Sequence, residues 1–512
     1  MIAKLYSGFL LGLKAGIIDV EVSAAQGLRS FNIVGLADTA VKEAKERVSV
    51  AIKSVGLKPP HQQNKKVLVN LSPADIKKTG ASYDLAIALG FILASEQAAF
   101  DPNSKIILGE LALDGTVKPI KGAFLFALLA QENGFSEIIL PKQNVNEASM
   151  VLQLRQNLKI IGVESLTQTL QYLTGQMPIA QANIDLTQNQ IPSDFEIDYS
   201  WIKGQETAKR ALLISSAGGH NLMLQGPPGA GKTLLAKSAL SILPELEPEE
   251  SLELAKIYSA CGLIDPNKPL LSQRPFRQPH HTASEASLIG GGSGRINPGE
   301  ITLAHRGILF LDEFAEFHRD VLEALRQPLE TGRITVQRAN GNITFPSKFT
   351  LIAASNPCPC GFKNDPLKEC SCMTSQINSY KRKLSGPLMD RIDLFSWVSA
   401  VKYEDLIEKN TAPDSQEAKA LVKQAREIQK ERFKESSIFT NGEMGLLEIK
   451  KHCQTDSESQ ELLKQWVNAG KLSARGFHKI LKISRTIADL DASPNITFKH
   501  TSEAISFRQK EE

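Results

Sequence analysis

Over residues 1–175 the apolar positions switch repeatedly between a period of two and a helical period. Ile17–Ser23 and Lys66–Leu71 alternate apolar with polar residues and predict strands, and the opening stretch to Lys14 reads as a first strand. Thr39–Val55 sets alanines and valines at helical spacing among Lys and Glu, which predicts an amphipathic helix. Asp84–Ser95 is apolar almost throughout, a buried helix, and Ser72–Asp75 is a loop. Ile106–Leu113 and Glu137–Pro141 complete a mixed α/β segment as further strands. Residues 176–196, rich in Gln, Asn and Pro and without period, predict a linker. Between 197 and 400 the apolar runs are short and continuous. Leu222–Leu224, Ile308–Leu311 and Phe349–Asn356 predict buried strands, and Gln205 opens a helix running to Ser216. Residues 401–512 are charged and helical. They include Ser415–Phe433, Ser459–Ala469 and Leu472–Leu490, the last with Leu472, Ile480, Ile483 and Ile487 towards a core, and together they read as a helical lid.

The run Gly226-Pro227-Pro228-Gly229-Ala230-Gly231-Lys232-Thr233 follows the first of those strands and precedes a helix predicted for Thr233–Leu243. It fits the phosphate-binding pattern G-x-x-x-x-G-K-[ST] in its strand–loop–helix setting. The three glycines let backbone N–H groups converge on one phosphate, and the positive end of the helix, entered through Leu234, adds to the field. Lys232 is placed for the β- and γ-phosphates and the Thr233 hydroxyl for Mg²⁺. Ile308–Leu311 delivers Asp312 to the Mg²⁺ shell and Glu313 to an attacking water, and Asn356 ends the next strand where it can hold that water. These residues predict a nucleotide-binding site suited to Mg²⁺-dependent ATP hydrolysis.

The chain has 512 residues, 42% hydrophobic and 22% charged, with a net charge of +3. That is an ordinary globular balance for two to four domains; it neither indicates nor excludes local basic patches for nucleic acid. Leu85–Ala94 is too short to span a bilayer. The apolar start has the outline of a signal peptide, but Ser7 and Gly8 break it and Lys14 ends it without a cleavage site, so the expected location is the cytoplasm and no membrane is expected as partner. Cys358, Cys360, Cys370 and Cys372 crowd together directly after Asn356. In extended chain, residues i and i+2 point the same way, so each C-x-C offers two thiolates that together can close a tetrahedral Zn²⁺ site with a structural role. The spacing is tighter than the usual C-x₂₋₄-C, which leaves an unmetallated reduced loop and redox or iron–sulfur chemistry as alternatives. Two insertions, the glycine-rich Leu288–Arg295 and a hairpin over Arg333–Lys348 with an Asn-Gly turn, are placed to project from one face.

Two resemblances follow from these residues. Gly109-Glu110-Leu111, Asp114-Gly115, Pro119-Ile120-Lys121-Gly122 and Ile138–Lys142 resemble the ribosomal-S5-like, α+β fold of the Lon protease domain. Lon-type proteases use a Ser–Lys dyad; Ser82 falls near the serine position, but Phe124 stands where the lysine is expected, which leaves the serine without a base and implies a retired or binding-only domain. Lys203-Gly204-Gln205, Gly226–Thr233, Arg274-Pro-Phe-Arg277-Gln-Pro-His280-His281-Thr282, Ala304–Glu313, Ser355–Gly361, Asp390-Arg391-Ile392-Asp393 and Ser473-Ala474-Arg475 are similar across the whole chain to the YifB/ComM group of magnesium-chelatase-like AAA+ ATPases. That resemblance implies a Lon-like domain over 1–175, a linker over 176–196, a P-loop AAA+ core over 197–400 with the cysteine loop 358–372, and a helical lid over 401–512. It implies Arg391 as an arginine finger reaching a neighbour's ATP, Arg475 as the second sensor, and therefore a homo-hexameric ring. It further implies a branch-migration or helicase-like motor acting on single-stranded or branched DNA in natural transformation, with Arg295, Arg338 and Lys348 as phosphate contacts. A chelatase-type remodeller of a protein or metallation complex and a Lon-like peptidase are the alternatives. His280 and His281 stay open between a metal pair and hydrogen-bonded structural residues.

Overall fold

The computed structural model describes residues 2–36, 38–154, 157–181, 196–269, 271–291, 296–338, 341–363, 365, 368–383, 388–400, 415–436 and 438–508. The N-terminal part is built on a seven-stranded sheet in the order Ser30–Val34, Lys65–Ser72, Lys14–Gln26, Ile2–Leu11, Lys105–Ile107, Glu137–Pro141, Lys159–Val163. Ile2–Leu11 and Lys14–Gln26 form an antiparallel hairpin, and the last four strands of that order run parallel. The helix Asp84–Ala94 is apolar on every side because the sheet and its neighbours cover it all round; a Cβ on Gly90 would lie 2.7 Å from Val22 Cγ2, so only glycine permits that approach.

The expected single strand over Ile106–Leu113 is corrected by the structure. The sheet strand ends at Ile107, and Glu110–Leu111 pairs instead with Val117–Lys118 in a separate two-residue ladder. The break is tertiary in origin: Gly109 donates to Ser82 O and accepts from Leu85 N, and a Cβ there would meet Val117 Cγ1 at 2.6 Å. Apolar periodicity carries no trace of that crossing.

The second sheet holds five strands, all parallel, ordered Phe276–Arg277, Ile308–Leu311, Thr350–Ser355, Leu222–Gln225, Leu394–Trp397. A parallel sheet is covered on both faces, which is why its strands read as continuous apolar runs. The alternation of side chains sorts them into two cores. Leu222, Leu224, Ile308, Phe310, Ile352 and Ala354 face a core completed by the C-terminal helices Ser415–Arg432 and Ala474–Leu490, whose Val422, Ile480, Ile483 and Ile487 are fully buried there. Met223, Leu309, Leu311, Leu351 and Ala353 face the opposite core, which includes Phe317 and the hairpin residues Ile334, Val336 and Phe345. The C-terminal helices are thus packed directly on the sheet. Phe395 N donates to Phe507 O at 2.7 Å, and Arg210 forms two bonds, of 2.7 and 3.1 Å, with Glu503.

The hairpin Arg333–Arg338 with Gly341–Pro346 pairs Arg338 with Gly341, which leaves loop positions 339 and 340 outside the described residues and moves Gly341 from the expected turn into the strand. One of its faces is covered rather than projecting: Ile343 and Phe345 abut Gly12 in the turn of the first hairpin, where an added Cβ would come within 2.6 Å of Ile343 Cγ2. A second tie joins the two parts of the chain. Ser259 Oγ, on the helix Pro248–Cys261, donates to the buried Glu147 at 2.6 Å, and Asn146 Nδ2 donates to Pro266 O at 2.7 Å. Among the described residues no helix is long and apolar enough to cross a membrane.

Candidate nucleotide site

The phosphate-binding loop leaves the strand Leu222–Gln225, between Thr350–Ser355 and the edge strand Leu394–Trp397, with no room for a side chain. A Cβ on Gly226 would stand 2.0 Å from Val398 O, and Gly231, at φ +87°, turns the chain into the helix Lys232–Ile242 in a conformation that side-chain-bearing residues avoid. Ala230 is buried beneath the loop and Leu234 is half exposed beyond it. Lys232 Nζ donates to Gly226 O at 2.7 Å, Pro227 O at 2.9 Å and Asn356 Oδ1 at 3.1 Å. The ammonium is therefore folded back into its own loop, bridged to the neighbouring strand. Burial pulls its pKa below the usual lysine value, and Asp312 and Glu313 oppose that shift.

Thr233 Oγ1 donates to Asp312 Oδ2 at 2.7 Å, which brings together the two residues expected at Mg²⁺. Asp312 Oδ1 in turn accepts from Glu313 N at 2.9 Å. Glu313 holds φ at +50°, an uncommon setting for a non-glycine residue that turns its side chain away from the line of the strand. A hydroxyl and a carboxylate, both hard oxygen donors, beside a lysine and a glycine loop are the donor set that a magnesium–triphosphate ligand requires. These residues fit the group. Gln205, expected to open a helix, accepts from Ser399 N at 3.1 Å and so ties the start of the helix Glu206–Gly218 to the chain beyond the edge strand. Nothing in the sequence marks Ser399.

Arg391 and Arg475 meet elsewhere. Both pair with Glu330, Arg475 at 4.0 Å, in a cavity of about 640 Å³ that also takes in Arg274, Arg306, Arg426 and Lys348. None of Gly226–Thr233 lines it. Glu330 is the residue that sequence reasoning missed, and an isolated glutamate after Arg326-Gln-Pro-Leu carries no signal of its own. Lys348 belongs with this cluster and not with the hairpin tip: its ammonium donates to Glu443 Oε2 at 2.6 Å. Arg295 lies outside the described residues, and Arg338 is described as backbone in the hairpin strand only.

The four cysteine sulfurs converge, every pair within 4.8 Å. Cys358 Sγ lies 3.4 Å from Cys360 and 3.6 Å from Cys370, and Cys360 lies 3.6 Å from Cys370. Thiolates about 2.3 Å from a tetrahedral ion stand about 3.8 Å apart, so the set fits zinc. The Phe362 backbone N–H, with Cys372 and Cys358 assisting, holds the Cys360 thiol down to about 6. This loop rests on the phosphate loop: a Cβ on Gly361 would collide with Pro228 Cδ at 2.4 Å. In the N-terminal part, Phe124 is fully buried in the helix Ala123–Glu132, so no base replaces the absent lysine at that position.

Three stretches of the chain match magnesium-chelatase families: residues 20–144 match subunit ChlI of Mg-chelatase, residues 198–406 match magnesium chelatase, subunit ChlI, and residues 412–508 match its C-terminal family. Competence protein ComM of Haemophilus influenzae is 40% identical over 99% of this chain and 97% of its own length. YifB of Escherichia coli is 38% identical over 97% of this chain and 95% of its own. Lon protease 2 of Bacillus subtilis is 28% identical over 32% of this chain and 31% of its own. With its parallel P-loop sheet and full-length likeness to both of the first two relatives, the chain belongs to the YifB/ComM family of magnesium-chelatase-like AAA+ ATPases.

Proposed function

We propose that this protein is an ATP-driven ring motor that acts on DNA, assembled as a homo-hexamer and working as a branch-migration or helicase-like enzyme. The observation that carries the hydrolytic half is the joined constellation of Lys232 with Asn356 and Thr233 with Asp312 at the ends of three adjacent strands. The nucleotide is cradled by the loop Gly226–Thr233, and Lys232 exchanges its loop carbonyls for phosphate oxygens. Thr233 and Asp312 would hold Mg²⁺, which would supply charge neutralisation on the phosphates. Glu313 accepts the proton of the attacking water and Asn356 orients that water. Arg391 and Arg475, gathered on Glu330 in a cavity apart from their own phosphate loop, serve the nucleotide of the adjacent subunit. The DNA half is supported by the full-length likeness to a relative named for competence. Arg295, Arg338 and Lys348 are the proposed backbone contacts, of which Lys348 must first leave Glu443.

The test is the rate of ATP hydrolysis with and without single-stranded and branched DNA. Hydrolysis is expected to rise several-fold with DNA at low salt, and the stimulation to vanish as salt displaces the phosphate contacts. An unchanged rate together with no DNA binding at low salt would sink the DNA assignment and point to a protein client.

The cysteine loop is proposed to hold one structural Zn²⁺ per chain through Cys358, Cys360, Cys370 and Cys372. Because Gly361 presses on Pro228, removing the ion with a thiol-modifying reagent is expected to weaken nucleotide binding about tenfold as the loop loses the cross-links through its four sulfurs. Elemental analysis and fluorescent-nucleotide titration check this; metal-free protein with unaltered nucleotide affinity would contradict it.

A further inference from the structure

The paired histidines 280 and 281 find a place beside the acidic pair. The edge strand Phe276–Arg277 runs parallel to Ile308–Leu311, with Phe276 opposite Ile308 and Arg277 opposite Leu309, so both chains leave the sheet on the same side. Their register is tightly set. Ile308 N donates to Pro275 O at 2.8 Å, and a Cβ on Gly307 would lie 2.0 Å from that same oxygen. Arg277 is held by two bonds to Glu300, at 2.6 and 2.8 Å.

Beyond Arg277 the chain turns. Ala283 N donates to His280 O at 2.9 Å, and His280 Nδ1 accepts from Thr282 N at 3.3 Å with the Thr282 hydroxyl at 2.8 Å. A backbone N–H can only donate, so Nδ1 of His280 is the accepting nitrogen, and the ring is pinned by its own turn. His281 lies against it, ring centroids 4.2 Å apart, and meets the buried Phe317 edge-on at 6.5 Å. The ring of His281 is thus clamped between His280 and Phe317, with Nδ1 3.1 Å from Glu313 Oε2.

Glu313 is fixed in its backbone, through Glu313 N to Asp312 and Glu316 N to Glu313 O at 2.7 Å, but its side chain is more than half exposed. The side chain of His281 lies against its carboxylate. We infer that His281 is a positioning residue for Glu313: its Nδ1 donates to one carboxylate oxygen and leaves the other free for the water. This rests on the reading of Glu313 as the base. The arrangement follows the general pattern in which a catalytic base is itself oriented by a further group. His280 acts one step back, by holding the His281 ring.

The test compares wild type with H281A, H281N, E313Q and the double variant H281A/E313Q, measuring kcat and KM for ATP and the affinity for a fluorescent ATP analogue. H281A is expected to lower kcat about tenfold, part of the ~10²–10⁴ that a positioned base contributes, with nucleotide affinity unchanged. H281N, whose amide supplies a donor at the position of Nδ1, is expected to recover most of the rate. The double variant is expected to be no slower than E313Q alone. Wild-type kcat in H281A, a raised kcat, or a double variant slower than the residual rate of E313Q by the same factor that H281A alone loses would overturn the inference alone. E313Q hydrolysing at the wild-type rate would overturn the reading of Glu313 as base, and the inference with it.

Discussion

Lys232→Ala is expected to lower the rate of ATP hydrolysis by about 10²–10³-fold or more, the range lost when one preorganised donor is taken from developing charge. The structure indicates why no neighbour substitutes. The ammonium already lies inside the loop, bonded to Gly226 O, Pro227 O and Asn356 Oδ1, so it reaches phosphate by a change of partner and not by a search. Burial also favours giving up the proton, and contact with anionic phosphate would reverse that tendency. Alanine leaves the two loop carbonyls and Asn356 without their donor, so a moderate fall in stability is expected alongside the loss of binding. Steady-state hydrolysis and fluorescent-nucleotide titration read the two effects separately.

Arg391→Ala is expected to remove ~10³-fold or more of the hydrolysis rate while leaving nucleotide affinity nearly intact, as befits a charge supplied to the transition state from outside the binding site. Its partner in the isolated chain, Glu330, also faces Arg475, so the two cations share one carboxylate in a cavity that no phosphate-loop residue lines. If they act on the neighbour's ATP, loss of one subunit's arginine harms the next subunit's site. Mixing Arg391→Ala with Lys232→Ala subunits therefore should restore part of the activity that each lacks alone. A site intact in the first variant then meets an arginine intact in the second. Two inactive populations that stay inactive after mixing and reassembly would place Arg391 in its own subunit's chemistry.

How much of this was legible depended on distance along the chain. The phosphate loop is a local object: strand, glycines, lysine and helix are consecutive, and the burial of Leu222–Gln225 on both faces makes the strand read as an apolar run. The pairing of Thr233 with Asp312 follows once both strands are placed side by side. The four cysteines are legible for the same reason, although their seat against Pro228 is not. Readings failed where a tertiary contact decided the outcome. Gly109 ends a strand because Ser82 and Leu85 take its backbone, and the bond of Lys348 to Glu443, 95 residues further on, left no mark in the pattern. Glu330 acquires its meaning only through Arg391, 61 residues away, and Arg475 on a C-terminal helix. The histidine pair showed itself as a motif without a purpose, since Glu313 reaches His281 only after two parallel strands are brought into register.

The central claim, that hydrolysis at this site drives a motor on DNA, is tested most directly by following a labelled strand released from a synthetic branched DNA by the purified protein. ATP-dependent release by the wild-type chain, absent with Glu313→Gln and absent without hydrolysable nucleotide, is the predicted result. Vigorous hydrolysis with the branched DNA left intact at low salt, where binding is measurable, would contradict it.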